Sequence, residues 1–169
     1  MHTKEAIQYA LTLSDRAVMT QLDQISDDPT RFPTPNGGCH PLWVLGHLTL
    51  IESYLPEILF GEPSPVANWQ KLFGEHSVPV DDISAYPSFD EVREKYQQLR
   101  NRNLDILASL SEADLDKATV APPPGREKEF STFGRSFLTL ALHQVLHRGH
   151  VTDALRAAGR LTPVLQAAS

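Results

Sequence analysis

Cysteine is nearly missing from this sequence, with one residue, Cys39, in 169. A single thiol cannot close an intrachain disulfide, so small secreted folds that depend on such staples are excluded. Long apolar runs are missing too. The longest, Leu48 to Ile51 and Phe137 to Leu142, fall well short of the roughly 20 residues needed to span a bilayer. The opening residues Met1-His2-Thr3-Lys4-Glu5 lack the basic-then-apolar layout of a secretory signal. Positive charge is in deficit: 15 Lys and Arg against 21 Asp and Glu leave a net charge of −6. That balance opposes the attraction on which sequence-independent nucleic-acid binding depends. Neither a membrane nor a nucleic acid is therefore expected as a partner, and the chain reads as cytoplasmic. What is there, 41% hydrophobic and 21% charged residues, is ordinary globular usage. Residues 1–169 are enough for a single domain with a proper core.

Strand-type alternation is likewise missing. Four segments carry helical periodicity, which predicts an all-α protein. The first spans Thr3 to Gln24, with Ala6, Ala10, Leu13, Ala17 and Gln21 in step and Ile7, Leu11 and Val18 widening the stripe. Thr3 is the expected N-cap, with Glu5 favouring the positive helix start. The second begins at Pro41, a residue suited to the first helical position. It runs through Leu42, Leu45, Leu48, Glu52 and Leu55 to Pro56, which is expected to kink or end it. The third opens on a capping box, Ser88 with Glu91, and continues through Val92, Tyr96, Leu99, Asn103, Ile106 and Leu110. The fourth runs from Thr132 or Phe133 to Ala158, with Gly159 as its stop. Between the second and third lies a proline-bearing stretch, Gly61 to Pro87, long for a connection inside a compact domain. It either lies across an opening or carries the chain from one end of a bundle to the other. A loose echo between residues 22–27 and 107–112 suggests two helical hairpins. Arg93, Lys95, Arg100 and Arg102 alternate with acids and read as a solvated face. Glu52 and Tyr96 fall on inward stripes, where core packing is the default role.

Histidine carries the chemistry. Three of the seven occur in His143-Gln144-Val145-Leu146-His147-Arg148-Gly149-His150. At 3.6 residues per turn, His147 lies about 40° from His143 and His150 about 20° to the other side. Two histidines four apart on a helix can aim both rings at one point, as helices that ligate zinc do. Imidazole suits zinc, nickel, copper and iron alike. The alternative is a histidine cluster without a ligand. Against it, the same face continues through Ser136, Leu140 and Ala154 and so points inward, where partnerless ring nitrogens are costly. His47, in Trp43-Val44-Leu45-Gly46-His47-Leu48, would more often be a satisfied core residue. Facing an inward pair across a bundle, it becomes the natural third ligand. Gly46 either permits a close backbone approach or is simply tolerated. His40 is expected as a cap or loop residue, and Trp43 and Trp69 as packing anchors. Cys39 reads as a small turn hydrophobe, or as a thiol activated by the helix start.

The segment Pro41 to Leu48, followed much later by His143 to His150, resembles the DinB-like superfamily of metal-binding four-helix bundles. That group includes the damage-inducible DinB proteins and the bacillithiol- and mycothiol-dependent enzymes. The likeness covers nearly the whole chain. It implies an up-down-down-up four-helix bundle whose long crossover between helices 2 and 3 is the stretch from Gly61 to Pro87. It implies a divalent metal, nickel or zinc, held by His47, His143 and His147 with water in the open positions, and it is compatible with a homodimer. His150 stands where many relatives have glutamine. It is expected beside the ligands first, with a fourth ligand, a proton carrier and a plain surface residue as the other readings.

Three histidines with an open position resemble a catalytic site more than a structural one, which is normally closed by four protein ligands. An ion so held lowers the pKa of water or of a thiol. Two chemistries on a small-molecule substrate follow: hydrolysis of an amide or related bond, or transfer of a low-molecular-weight thiol cosubstrate to an electrophilic carbon. Because S-transferases are among the superfamily's enzymes, the resemblance tips toward thiol transfer. The competing expectation is a metal-dependent binding module, or a structural bundle, without turnover.

Overall fold

The computed structural model describes residues 2–161. Four long helices carry it: α1 (Thr3–Asp23), α2 (Pro41–Phe60), α4 (Phe89–Ser109) and α5 (Phe133–Ala157), with the single-turn α3 (Gln70–Phe73) inside the α2–α4 connection. The described residues contain no strand, only two isolated bridges. The all-α expectation holds. No described helix is long and apolar enough to cross a membrane.

Most helix ends follow local sequence chemistry. Ser88 and Glu91 form the expected capping box: Glu91 N–H donates to Ser88 Oγ at 3.3 Å, and Ser88 N–H to Glu91 Oε2 at 2.8 Å. Thr132 caps α5, and Gly159 ends it in the left-handed region at φ +68°. At α1 the cap is His2 rather than Thr3, because the His2 N–H reaches the Glu5 carboxylate at 3.0 Å. Pro56 does not end α2, which continues to Phe60 and stops at Gly61, φ +75°. A proline inside a helix leaves the carbonyl four residues back without its donor. Here that carbonyl belongs to Glu52, and Asn103 Nδ2 of α4 donates to it at 2.9 Å.

The helices do not pair as two sequential hairpins. α1 packs most closely on α5, and α2 on α4 and α5. Along the α1–α5 seam Ser14 Oγ donates to Gln144 Oε1 at 2.6 Å, and Thr152 Oγ1 to Gln21 Oε1 at 3.1 Å. Two apolar clusters result. One gathers around Leu22, Trp43, Leu48, Phe73, Val92 and Val151, the other around Leu11, Leu55, Leu107, Phe133 and Phe137. On every long helix a polar residue falls between the members of the two clusters: Ser14, Glu52, Arg100 with Asn103, and Gln144.

These residues bond to one another across the middle of the bundle. Arg100 Nη1 donates to Glu52 Oε1 at 2.8 Å and Nη2 to the Leu11 carbonyl at 2.7 Å. Asn103 Nδ2 also reaches Glu52 Oε2 at 2.7 Å, Gln144 Nε2 donates to Tyr96, and Tyr96 donates to Asp15. Arg100 therefore does not belong to a solvated face: it and Glu52 are each 2% exposed. Glu52 is a buried charge with a full set of donors rather than a packing residue. Outside, α5 leaves Leu138, Leu142, Val145 and Leu146 exposed on one side.

Candidate metal centre

His47 projects from α2 toward the α5 face that carries His143 and His147. Their Nε2 atoms gather: His47 to His143 is 3.3 Å and His147 to His143 is 3.1 Å. One ligand atom from each lies within 4.8 Å of the others. Two stretches nearly a hundred residues apart are thus brought to one point by α2 packing on α5.

The connection after α2 fixes the His47 ring. Its Nδ1 lies 2.7 Å from the Phe73 carbonyl. A carbonyl only accepts, so the proton sits on Nδ1 and the Nε2 lone pair faces the other imidazoles. The Trp43 indole stacks on the ring at 4.8 Å and 8°, and is itself held by its Nε1–H, which donates to Ser77 Oγ at 2.8 Å. Phe73 can come this close because residue 46 is glycine: a Cβ there would lie 2.3 Å from its ring. Of the two roles open to Gly46, the structure selects close approach. His40 caps α2 as expected. Its Nδ1 accepts from the Trp43 N–H at 3.0 Å, which leaves Nε2 to donate to the Val80 carbonyl at 2.9 Å.

The site holds its imidazoles neutral. Burial first, and the neighbouring histidines after it, bring His143 down to about 4 and His147 down to about 3. His47 is lowered too, by burial, against the opposing pull of the Phe73 carbonyl and Glu75. Protonated rings could not offer lone pairs to a cation; these can.

A divalent ion fits what is present. Ligand nitrogens on a tetrahedral zinc stand about 3.3 Å apart, close to the observed separations. A neutral ring has one N–H, and the His47 proton is already committed to Phe73, so proton sharing cannot satisfy all three Nε2 atoms well. Nδ1 of His143 and of His147 are buried without a hydrogen-bond partner. Hydrogen bonding within the protein therefore does not account for these rings, whereas three converging lone pairs suit a cation.

His150 is exposed and outside the three-histidine group, with its ring centroid 5.6 Å from that of His147. Cys39 is half-buried against the Trp43 cluster, and burial pushes its thiol up rather than down. Beside the three histidines opens a cavity of about 580 Å³, walled by Ile51, Ile58, Phe130 and Leu140, with Tyr54, Gln70, Glu75 and Arg126 among its polar members. Sequence reading missed Tyr54, Phe73 and Arg126. Tyr54 lies only seven residues from His47 on the same helix, a signal that was available; Phe73 ends the single-turn α3 and Arg126 sits in a loop, both too short or irregular for periodicity to reach.

The family model described as DinB superfamily matches residues 10–151. Comparison with curated proteins finds no match.

Proposed function

The chain belongs to the DinB superfamily, and from that membership and its converging imidazoles we propose a metal-dependent enzyme acting on a small molecule. The ion is nickel or zinc, the ligands are His47, His143 and His147, and thiol transfer is favoured over hydrolysis. One observation carries the reading: three neutral imidazoles meet at 3.1–3.3 Å on the wall of a cavity of about 580 Å³. A volume of that size is typical of ligand pockets, and a purely structural site has no use for it.

An ion held here supplies Lewis acidity, bringing a thiol or a water into its nucleophilic form near neutral pH. The chain's own residues do the remainder. Phe73 and Trp43 fix the tautomer and plane of His47. Ile51, Phe130 and Leu140 line the cavity with apolar surface that excludes water from the reacting groups. His150, exposed beside His147, is assigned to proton movement between the site and solvent. The frame we infer is one domain in up-down-down-up order. It is supported by α1–α5 contacts that rise together, Ser14 with Gln144 and Gln21 with Thr152. Contacts between α1 and α4 run oppositely, Lys4 with Ala108 and Asp23 with Arg93.

Metal content tests the reading. Purified protein loaded with zinc or nickel should hold one ion per chain. His143→Ala and His147→Ala should each abolish stoichiometric uptake while far-ultraviolet circular dichroism keeps its helical signal. His150→Ala should keep the ion. Full occupancy in either of the first two variants overturns the ligand assignment.

A further inference from the structure

Two residues lining the cavity carry full charge, Arg126 and Glu75, and its remaining wall is largely aliphatic and aromatic. Six of the ten arginines are paired with a carboxylate; Arg126, which is exposed, has no such partner among the described residues, nor do Arg16, Arg135 and Arg148, and of these four only Arg126 lines the cavity. Its guanidinium lies over the Phe130 ring, 5.7 Å from the centroid. Phe130 is itself buried and forms part of the wall.

The segment that presents Arg126 is held in place. Pro122, Pro123 and Pro124 precede Gly125 at φ +78°. Arg126 N–H donates to the Pro123 carbonyl at 3.0 Å, and Phe130 N–H to the Arg126 carbonyl at 3.2 Å. From α5, Arg135 Nη1 donates to the Lys128 carbonyl and Thr139 Oγ1 to that of Glu129, both at 3.1 Å. An unpaired cation on a fixed loop, at the edge of an apolar cavity, has the chemistry of an anion anchor. Guanidinium offers two parallel N–H donors, which match a carboxylate.

We infer that the cavity takes an organic monoanion, a small molecule with an apolar body and one carboxylate, and that Arg126 pairs with the carboxylate and sets this specificity. The inference deepens the proposed function and rests on its reading of the cavity as the substrate site. Glu75, from the connection between α2 and α4, also lines the cavity, and its negative charge disfavours a second anionic group there.

Matched probes test it. Phenylalkanoates from phenylacetate to 5-phenylpentanoate, each beside its neutral amide, are titrated by calorimetry into metal-free and zinc-loaded protein. The metal-free arm removes direct ligation of the ion by the carboxylate. At least one acid should bind metal-free protein about tenfold more tightly than its amide. Arg126→Gln should erase that ratio without changing amide binding, and Arg126→Lys should restore part of it. A series in which no acid outbinds its amide overturns the inference, as does a ratio unchanged in Arg126→Gln or an equal loss for acid and amide. Metal content, measured on the same samples, separates the two readings. A wild-type protein that takes up no ion yet keeps an Arg126-dependent preference removes the metal function and leaves the anion site standing.

Discussion

A methyl group added at Gly46 would lie 2.3 Å from the Phe73 ring, which is fully buried and has nowhere to retreat. The Phe73 carbonyl holds the His47 proton on Nδ1, so displacement of that residue reaches the site directly. Gly46→Ala should cost about 1–3 kcal/mol of stability through overpacking. It should also weaken metal affinity by about tenfold, the scale seen when a group orienting a ligand is lost. Thermal melts and competition with a chelator measure the two effects, and an unchanged affinity would show that Phe73 does not orient the ring. At this scale the gathering of His47, His143 and His147 was legible in part, because a four-residue spacing puts two of the rings on one inward face of α5. The sequence was silent about Phe73, whose contribution is a backbone carbonyl and leaves no trace in residue type.

Among the helices, the least expected behaviour is that of α2, which continues past Pro56 to Phe60 while α4 supplies the missing donor. Asn103 Nδ2 serves both the Glu52 carbonyl and the Glu52 carboxylate. Asn103→Ala should therefore cost about 1–3 kcal/mol, the range for a buried group stripped of its partner. In a Pro56→Ala background the cost should be smaller by about 1 kcal/mol, because residue 56 then donates to the Glu52 carbonyl from within the helix. Denaturant unfolding of the two single variants and the double variant measures the coupling; strict additivity would mean that Asn103 does not compensate for the proline. Helix starts were legible because capping uses neighbours in the chain, as Ser88 and Glu91 do. The fate of Pro56 and the burial of Arg100 were not, since each is decided by a partner about fifty residues away.

Burial of three imidazoles gives the whole molecule a directional response to acid. In an unfolded chain histidine takes up its proton near pH 6.5. Folded His143 and His147 do so only near 4 and 3. Between those limits the unfolded state binds more protons, so the stabilisation is complete above about pH 6.5 and is lost as the pH falls toward 4 and 3. The melting temperature of metal-free protein should decline across that window. A variant carrying both His143→Leu and His147→Leu should lose this part of the slope; an identical slope in wild type and variant would place the acid sensitivity elsewhere. By itself the sequence determined that the protein is helical, where its long helices start, and which face of α5 bears the histidines. Those properties depend on hydrophobic period and on residues a few steps apart, which every local segment states for itself. Only the tertiary structure decided that α1 lies on α5 rather than on α2, that Arg100 and Glu52 meet inside, and that a cavity bearing Arg126 opens beside the imidazoles. Each of those depends on surfaces distant in the chain meeting in one packed arrangement, and a short stretch of residues carries no record of what will be laid against it.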